Sequence, residues 1–191
     1  RRSSDLKGEN TMTNKEFLKI NFGIEIEMTG ITRRKAAETV AEHLGGTIEE
    51  LQDYYGTFKI ATPDGRVWKV MYDGSINTQK RVAGQKVSAS KEYSVELVSP
   101  ILTYEKDMEN LQEIARKLKK AGAFSEQQNC TGIHIHLDGK DHTPRSIRNF
   151  MNIIYSKNDL LYDALQIEHR RMHYCKKMDQ SLVEKMNRKK P

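Results

Sequence analysis

The stretch Asn-Cys-Thr-Gly-Ile-His-Ile-His-Leu-Asp, residues 129–138, constrains the chain most. Ile133, Ile135 and Leu137 alternate with His134, His136 and Asp138. A period of two is the pattern of a half-buried β-strand. One face is wholly apolar, and the other offers two imidazoles and a carboxylate. Side chains at i and i+2 share a face, roughly 7 Å apart. A single histidine there reads as a solvent-facing position. Two histidines and an aspartate opposite an unbroken apolar face read as the wall of a site.

Two other stretches repeat the design. In Phe22–Met28, Ile24, Ile26 and Met28 share one face, and Glu25 and Glu27 share the other. In Tyr93–Val98, Tyr93, Val95 and Leu97 oppose Ser94 and Glu96. In one sheet, these strands would gather Glu25, Glu27, Glu96, His134 and His136 on a common surface. Such a gathering is satisfied by a cation and is repulsive without one.

These motifs are also where the chain resembles a known family. Phe-Gly-Ile-Glu-Ile-Glu-Met (22–28), Val-Glu-Leu-Val-Ser-Pro (95–100) and Thr-Gly-Ile-His-Ile-His-Leu-Asp (131–138) resemble the amidoligases. Asp73-Gly74-Ser75 and Arg170-Arg171-Met172-His173-Tyr174-Cys175 are similar to that pattern, less specifically. The resemblance runs from about Asn21 onward. Amidoligases are carboxylate–amine ligases that share a fold with glutamine synthetase and glutamate–cysteine ligase. The resemblance therefore implies an α+β fold: a mostly antiparallel, curved sheet with helices on one face and an open active-site face. It further implies ATP and Mg2+. Glu25, Glu27 and Glu96 would be metal ligands, with His134 joining them and His136 contacting the nucleotide, or the two histidines the other way round. Ser75 and Arg171 would contact the nucleotide. Arg170 and Arg171 would be the catalytic cations that neutralise phosphate.

The family pattern continues with a later strand that brings a further Glu and Arg. Nothing after Tyr174 has strand periodicity here. The expectation is a tail over residues 1–14 and the N-terminal portion of an amidoligase-like domain over 15–191, with weak or absent activity.

The chain has 191 residues, enough for one domain with a real core. The net charge of +6 is uneven. Residues 140–191 hold 12 Lys and Arg against 6 Asp and Glu, whereas the first 139 residues balance. That basic third suits phosphate, whether of a nucleotide or of nucleic acid, and equally suits solvated helix faces. Nucleic acid is not the expected partner; carboxylate and amine substrates are, as small molecules, peptides or protein side chains. Self-association through an unpaired sheet edge is also expected. No apolar run approaches a membrane span, no signal peptide is evident, and two cysteines make no disulfide framework, so the cytoplasm is the expected compartment.

Between the strands, periodicity predicts helices. Thr32 caps one carrying Ala36, Ala37, Val40, Ala41 and Leu44, which Gly45-Gly46 stops. Thr103 caps another carrying Met108, Leu111, Ile114, Ala115 and Leu118, which Gly122 stops. Thr143-Pro144 opens a third with Ile147, Phe150, Met151, Ile154 and Tyr155, and a break at Asn158-Asp159 precedes a fourth. Pro63-Asp64-Gly65 turns a hairpin between 57–61 and 66–72, with Trp68 in the core. Residues 77–92 read as a basic loop. No P-loop or dinucleotide fingerprint appears, so any ATP is held otherwise.

The residues alone leave a second chemistry open. His-x-His is a common zinc element, a Glu can be ligand or base, and Cys130 adds a thiolate, so a zinc hydrolase is the alternative reading. A degraded homologue that only binds ligand is another. The sequence names neither the carboxylate nor the amine.

Overall fold

In the computed structural model, β1 (Asn21–Met28) is the axis of the fold. The structure describes residues 14–167 and 169–188, without the side chains of residues 14, 127 and 170. The expected tail lies outside these, save Asn14, which opens the short helix α1 (Asn14–Phe17). After Asp138 the chain divides into two compact units.

The first unit is a seven-stranded sheet, antiparallel at every pairing. Its strands after β1 are β2 (Thr47–Glu50), β3 (Phe58–Ala61), β4 (Val67–Met71), β7 (Val95–Val98), β8 (Leu102–Thr103) and β9 (Ile133–Leu137). The order is β2-β3-β4-β7-β1-β9, with β8 continuing along the β7 side of β1. β7 and β9 run the same way on opposite sides of β1. Between them passes α3 (Tyr104–Lys120). The residues between β4 and β7 form a separate hairpin, β5 (Gln79–Val82) and β6 (Gln85–Ser88).

One face of the sheet is the core face. Phe58, Ile60, Trp68, Val70, Val95 and Leu97 are buried there. Against them pack Ala36, Ala37, Val40 and Ala41 of α2 (Arg33–Leu44) and Leu111, Ile114 and Leu118 of α3. Thr32 caps α2 as expected, its hydroxyl accepting from the Lys35 amide, and Gly45 ends it in the left-handed conformation. β1 ends where Gly30 turns at φ 94°, with no room for a side chain: a Cβ would stand 2.4 Å from the Gly122 carbonyl oxygen.

Between β7 and β8 the strand bulges. Glu25 pairs with Val98 and Phe22 with Leu102, so Ser99, Pro100 and Ile101 oppose only two residues of β1. The Ser99 hydroxyl accepts the Ile24 amide at 2.9 Å, and the Ser99 amide donates to the Ile24 carbonyl. Pro100, which has no amide to donate, is tolerated inside such a bulge.

Three expectations need correction. The apolar face of β9 is not buried: Ile133, Ile135 and Leu137 are 61%, 63% and 70% exposed. β9 is an edge strand, and α2 and α3 cover the sheet from β2 to β8. Residues 77–92 are not a plain loop but the β5–β6 hairpin. Its turn, Ala83-Gly84, has φ of 49° and 81°, the two positive values a tight hairpin turn requires. Thr103 occupies the cap position of α3 without capping through its side chain; instead Asp107 accepts the Thr103 amide at 2.8 Å.

The second unit holds α4 (Pro144–Ser156), α5 (Asn158–Ala164), a 3-10 turn over His169–His173 and α6 (Gln180–Asn187). Thr143 and Ser146 form a capping box at the start of α4. Asn152 and Asn187 exchange amide hydrogen bonds of 3.1 and 2.8 Å between α4 and α6. The apolar stripe of α4 stays half open, with Ile147, Phe150 and Ile153 exposed. No helix among the described residues is long and apolar enough to cross a membrane.

Candidate metal centre

The face of the sheet opposite the helices is laid out in rows by strand register. Glu27 of β1 stands beside Glu96 of β7, and Glu96 beside Met71 of β4. The next row reads Glu49, Lys59, Lys69, Val98, Glu25, His134, across six strands from β2 to β9. A third pairs Gly23 with His136. Residues directly opposite one another share a face, which is how alternation in separate stretches becomes one surface.

The two oxygens of Glu25 each meet an imidazole. His134 Nδ1 lies 3.0 Å from Oε2, and His136 Nε2 lies 3.1 Å from Oε1. The far nitrogen of His134 is 3.7 Å from Glu27 Oε1. Glu27 is buried, Glu25 and Glu96 half-buried, and both histidines exposed.

Two groups of donors overlap at Glu96. Glu25, Glu96 and His134 each bring one ligand atom to within 4.8 Å of the others, and so do Glu27, Asp73 and Glu96. Four carboxylates and one imidazole make an oxygen-rich set, which suits a hard divalent cation such as Mg2+. The electrostatics fit as well. The Glu96 carboxyl is pushed up to about 7, chiefly by burial, then by the negative charges of Glu25, Asp73 and Glu27; His134 opposes the shift. A bound cation would relieve that repulsion. Cys130 belongs to neither group: its sulfur accepts from the side-chain Nδ2 of Asn77 at 3.4 Å.

Asp73 is the ligand candidate that sequence reasoning missed. Asp73-Gly74-Ser75 has the form of a turn, and a turn it is. The Asp73 carboxylate accepts the Ser75 amide at 2.7 Å and the Ser75 hydroxyl at 3.0 Å. The fully buried Ser94 clamps the Asp73 backbone, accepting its amide at 3.0 Å and donating to its carbonyl at 2.6 Å. Asn129, also fully buried, ties the following loop down by donating to the Asn77 carbonyl at 2.8 Å and to Gln79 Oε1 at 3.1 Å. The signal was the resemblance of this turn to the amidoligase pattern. It pointed to Ser75, which here holds the Asp73 carboxylate.

The structure thus brings Glu25, Glu27, Glu96, His134 and His136 onto one surface, with Ser75 beside Asp73. Arg171 lies in the second unit, its guanidinium 5.8 Å from the Tyr174 ring centre. The Arg170 side chain lies outside the described residues.

A family profile described as "Putative amidoligase enzyme" matches residues 18–191. The chain belongs to the amidoligase family. Comparison with curated proteins and with solved structures found no match. The amidoligase match takes in β1, the Asp73 turn, β7 and β9, so every donor of the two overlapping groups falls inside it.

Proposed function

We propose that this amidoligase is an ATP-dependent carboxylate–amine ligase whose metal centre is the open-face cluster. The observation that carries the reading is the pair of donor groups sharing Glu96, on the uncovered face of an antiparallel sheet. A carboxylate is a poor electrophile at neutral pH. Transfer of the ATP γ-phosphoryl group to a carboxylate oxygen gives an acyl phosphate and ADP. The amine nitrogen then attacks the carbonyl carbon, the C–O bond to phosphate breaks, and the nitrogen loses a proton. The products are an amide, ADP and phosphate.

Glu25, Glu96 and His134 would hold one Mg2+, and Glu27, Asp73 and Glu96 a second. When bound, Mg2+ supplies charge neutralisation of the polyphosphate and of the transferring phosphoryl group. The chain's own residues set the frame for that. His136 holds the second oxygen of Glu25 and fixes that carboxylate's orientation. Ser75 and Ser94 fix Asp73. The open face leaves the substrates an approach from solvent.

The test is release of ADP with Mg2+ against a panel of amino acids and peptides, offered as carboxylate and amine in pairs. At least one pair should give amide and ADP in equal amounts, and Glu25→Gln should lower the rate at least a hundredfold. If every pair yields no more ADP than Glu25→Gln does, the ligase reading fails.

A further inference from the structure

Phosphoryl chemistry needs cations aimed at the phosphates, and the five recognised β-strand positions supply only glutamates and histidines. The described basic residues of the β5–β6 hairpin are engaged elsewhere. Lys80 lies over the Tyr93 ring, Arg81 and Lys86 lie over the Phe124 ring, and Lys86 also pairs with Glu126. The open face itself has a different answer, visible only once the strands are in register.

Lys59 and Lys69 stand directly opposite each other on β3 and β4, in the same row as Glu25 and His134. Both alternate with core residues: Phe58 and Ile60 around Lys59, Trp68 and Val70 around Lys69. Both therefore project from the face that carries the carboxylates. Like charges directly opposite in an antiparallel pair destabilise it. Lys59 has a weak counterion, Glu49 at 3.8 Å, across an exposed edge pair. Lys69 has no ion pair among the described residues, and its other neighbour in the row is Val98. At a strand spacing of about 4.8 Å, Lys69 is two strands from Glu25 and Lys59 is three. The row thus runs from a carboxylate–imidazole cluster, past one small apolar residue, to two adjacent ammonium groups on flexible stems. That order suits a metal-bound polyphosphate lying across the strands, its metal at the carboxylates and its distal oxygens at the lysines.

We propose that Lys69 and Lys59 form a phosphate-binding track, which holds the polyphosphate of the nucleotide on the open face beside the carboxylate cluster. The inference rests on the ATP-dependent reading above and adds the residues that bind the anion. The track recognises phosphate charge and is indifferent to the base.

Calorimetry with the whole chain tests it, using Mg–ATP, Mg–tripolyphosphate and adenosine as separate probes. Mn2+ binding followed by electron paramagnetic resonance is read alongside. Lys69→Gln and Lys59→Gln should each weaken Mg–ATP and Mg–tripolyphosphate roughly fivefold at low salt, as expected for loss of one partly screened charge contact. The double variant should lose on the order of 25-fold, and Lys69→Arg should retain most of the affinity. The differences should shrink as salt rises, while Mn2+ binding stays unchanged. Wild-type binding of both polyphosphates with no loss in the double variant overturns the track and leaves the ATP reading standing. A wild-type chain that binds Mn2+ and neither polyphosphate overturns both.

Discussion

Glu96 shows how the site is balanced residue by residue. Burial and three neighbouring carboxylates raise its carboxyl from an ordinary 4.5 to about 7. The folded chain therefore keeps a proton that the unfolded chain releases. Between about pH 4.5 and 7 the native state binds more protons, so stability falls as pH rises through that window. In metal-free protein the urea midpoint should decline from pH 4.5 to 7 and level off above it. Glu96→Gln, which keeps the shape and removes the charge, should flatten the profile. Millimolar Mg2+ should raise the wild-type midpoint most near and above pH 7, where the carboxylate is free to bind it, and should do little for Glu96→Gln. A wild-type profile that rises across this window would contradict the arrangement of Glu25, Asp73 and Glu27 around Glu96.

At the scale of elements, the bulge between β7 and β8 is the most exposed to a test. Its extra residue displaces a backbone acceptor, and the Ser99 hydroxyl takes the Ile24 amide instead. Ser99→Ala leaves that amide without its acceptor, at a cost of about 1–3 kcal/mol in urea unfolding. Ile24 adjoins Glu25, so divalent-ion affinity should drop as well. Ser99→Thr keeps the hydroxyl and should recover most of both. Elements like β1, β7, α2 and α3 were legible in the sequence because each hides one face, and a hidden face leaves a period of two or 3.6; β9 carries the same alternation although its apolar face is exposed. β2 was not. Its Thr-Ile-Glu-Glu is an exposed edge, made a strand by pairing with β3 and not by burial. The β5–β6 hairpin escaped for the same reason, and because its turn places an alanine at positive φ, which few sequences signal. The glutamates and histidines of the site were legible as alternation within single stretches. Asp73 and the lysine row were not, since their meeting depends on strand order, which no local pattern carries.

Across the whole molecule, stability is unevenly placed over the sheet. α2 and α3 cover the core face from β2 to β8, and at β9 that cover stops. Ile114 of α3 is fully buried, whereas Ile135 of β9 is 63% exposed, although both are isoleucines in regular elements. Ile114→Ala should cost about 2–5 kcal/mol, combining the lost transfer energy with an unfilled cavity. Ile135→Ala removes the same atoms from a position already largely in water. No cavity forms, and the lost burial is small, so the cost should be on the order of 0.5 kcal/mol. Urea titrations of the two variants, run with wild type at equal slope, measure the difference directly. If Ile135→Ala proves as costly as Ile114→Ala, the apolar face of β9 is buried in solution. The edge would then be covered in a way its 63% exposure does not show. A midpoint that rises with protein concentration for wild type and not for Ile135→Ala would identify a second copy of the chain as the cover, because only association couples stability to concentration.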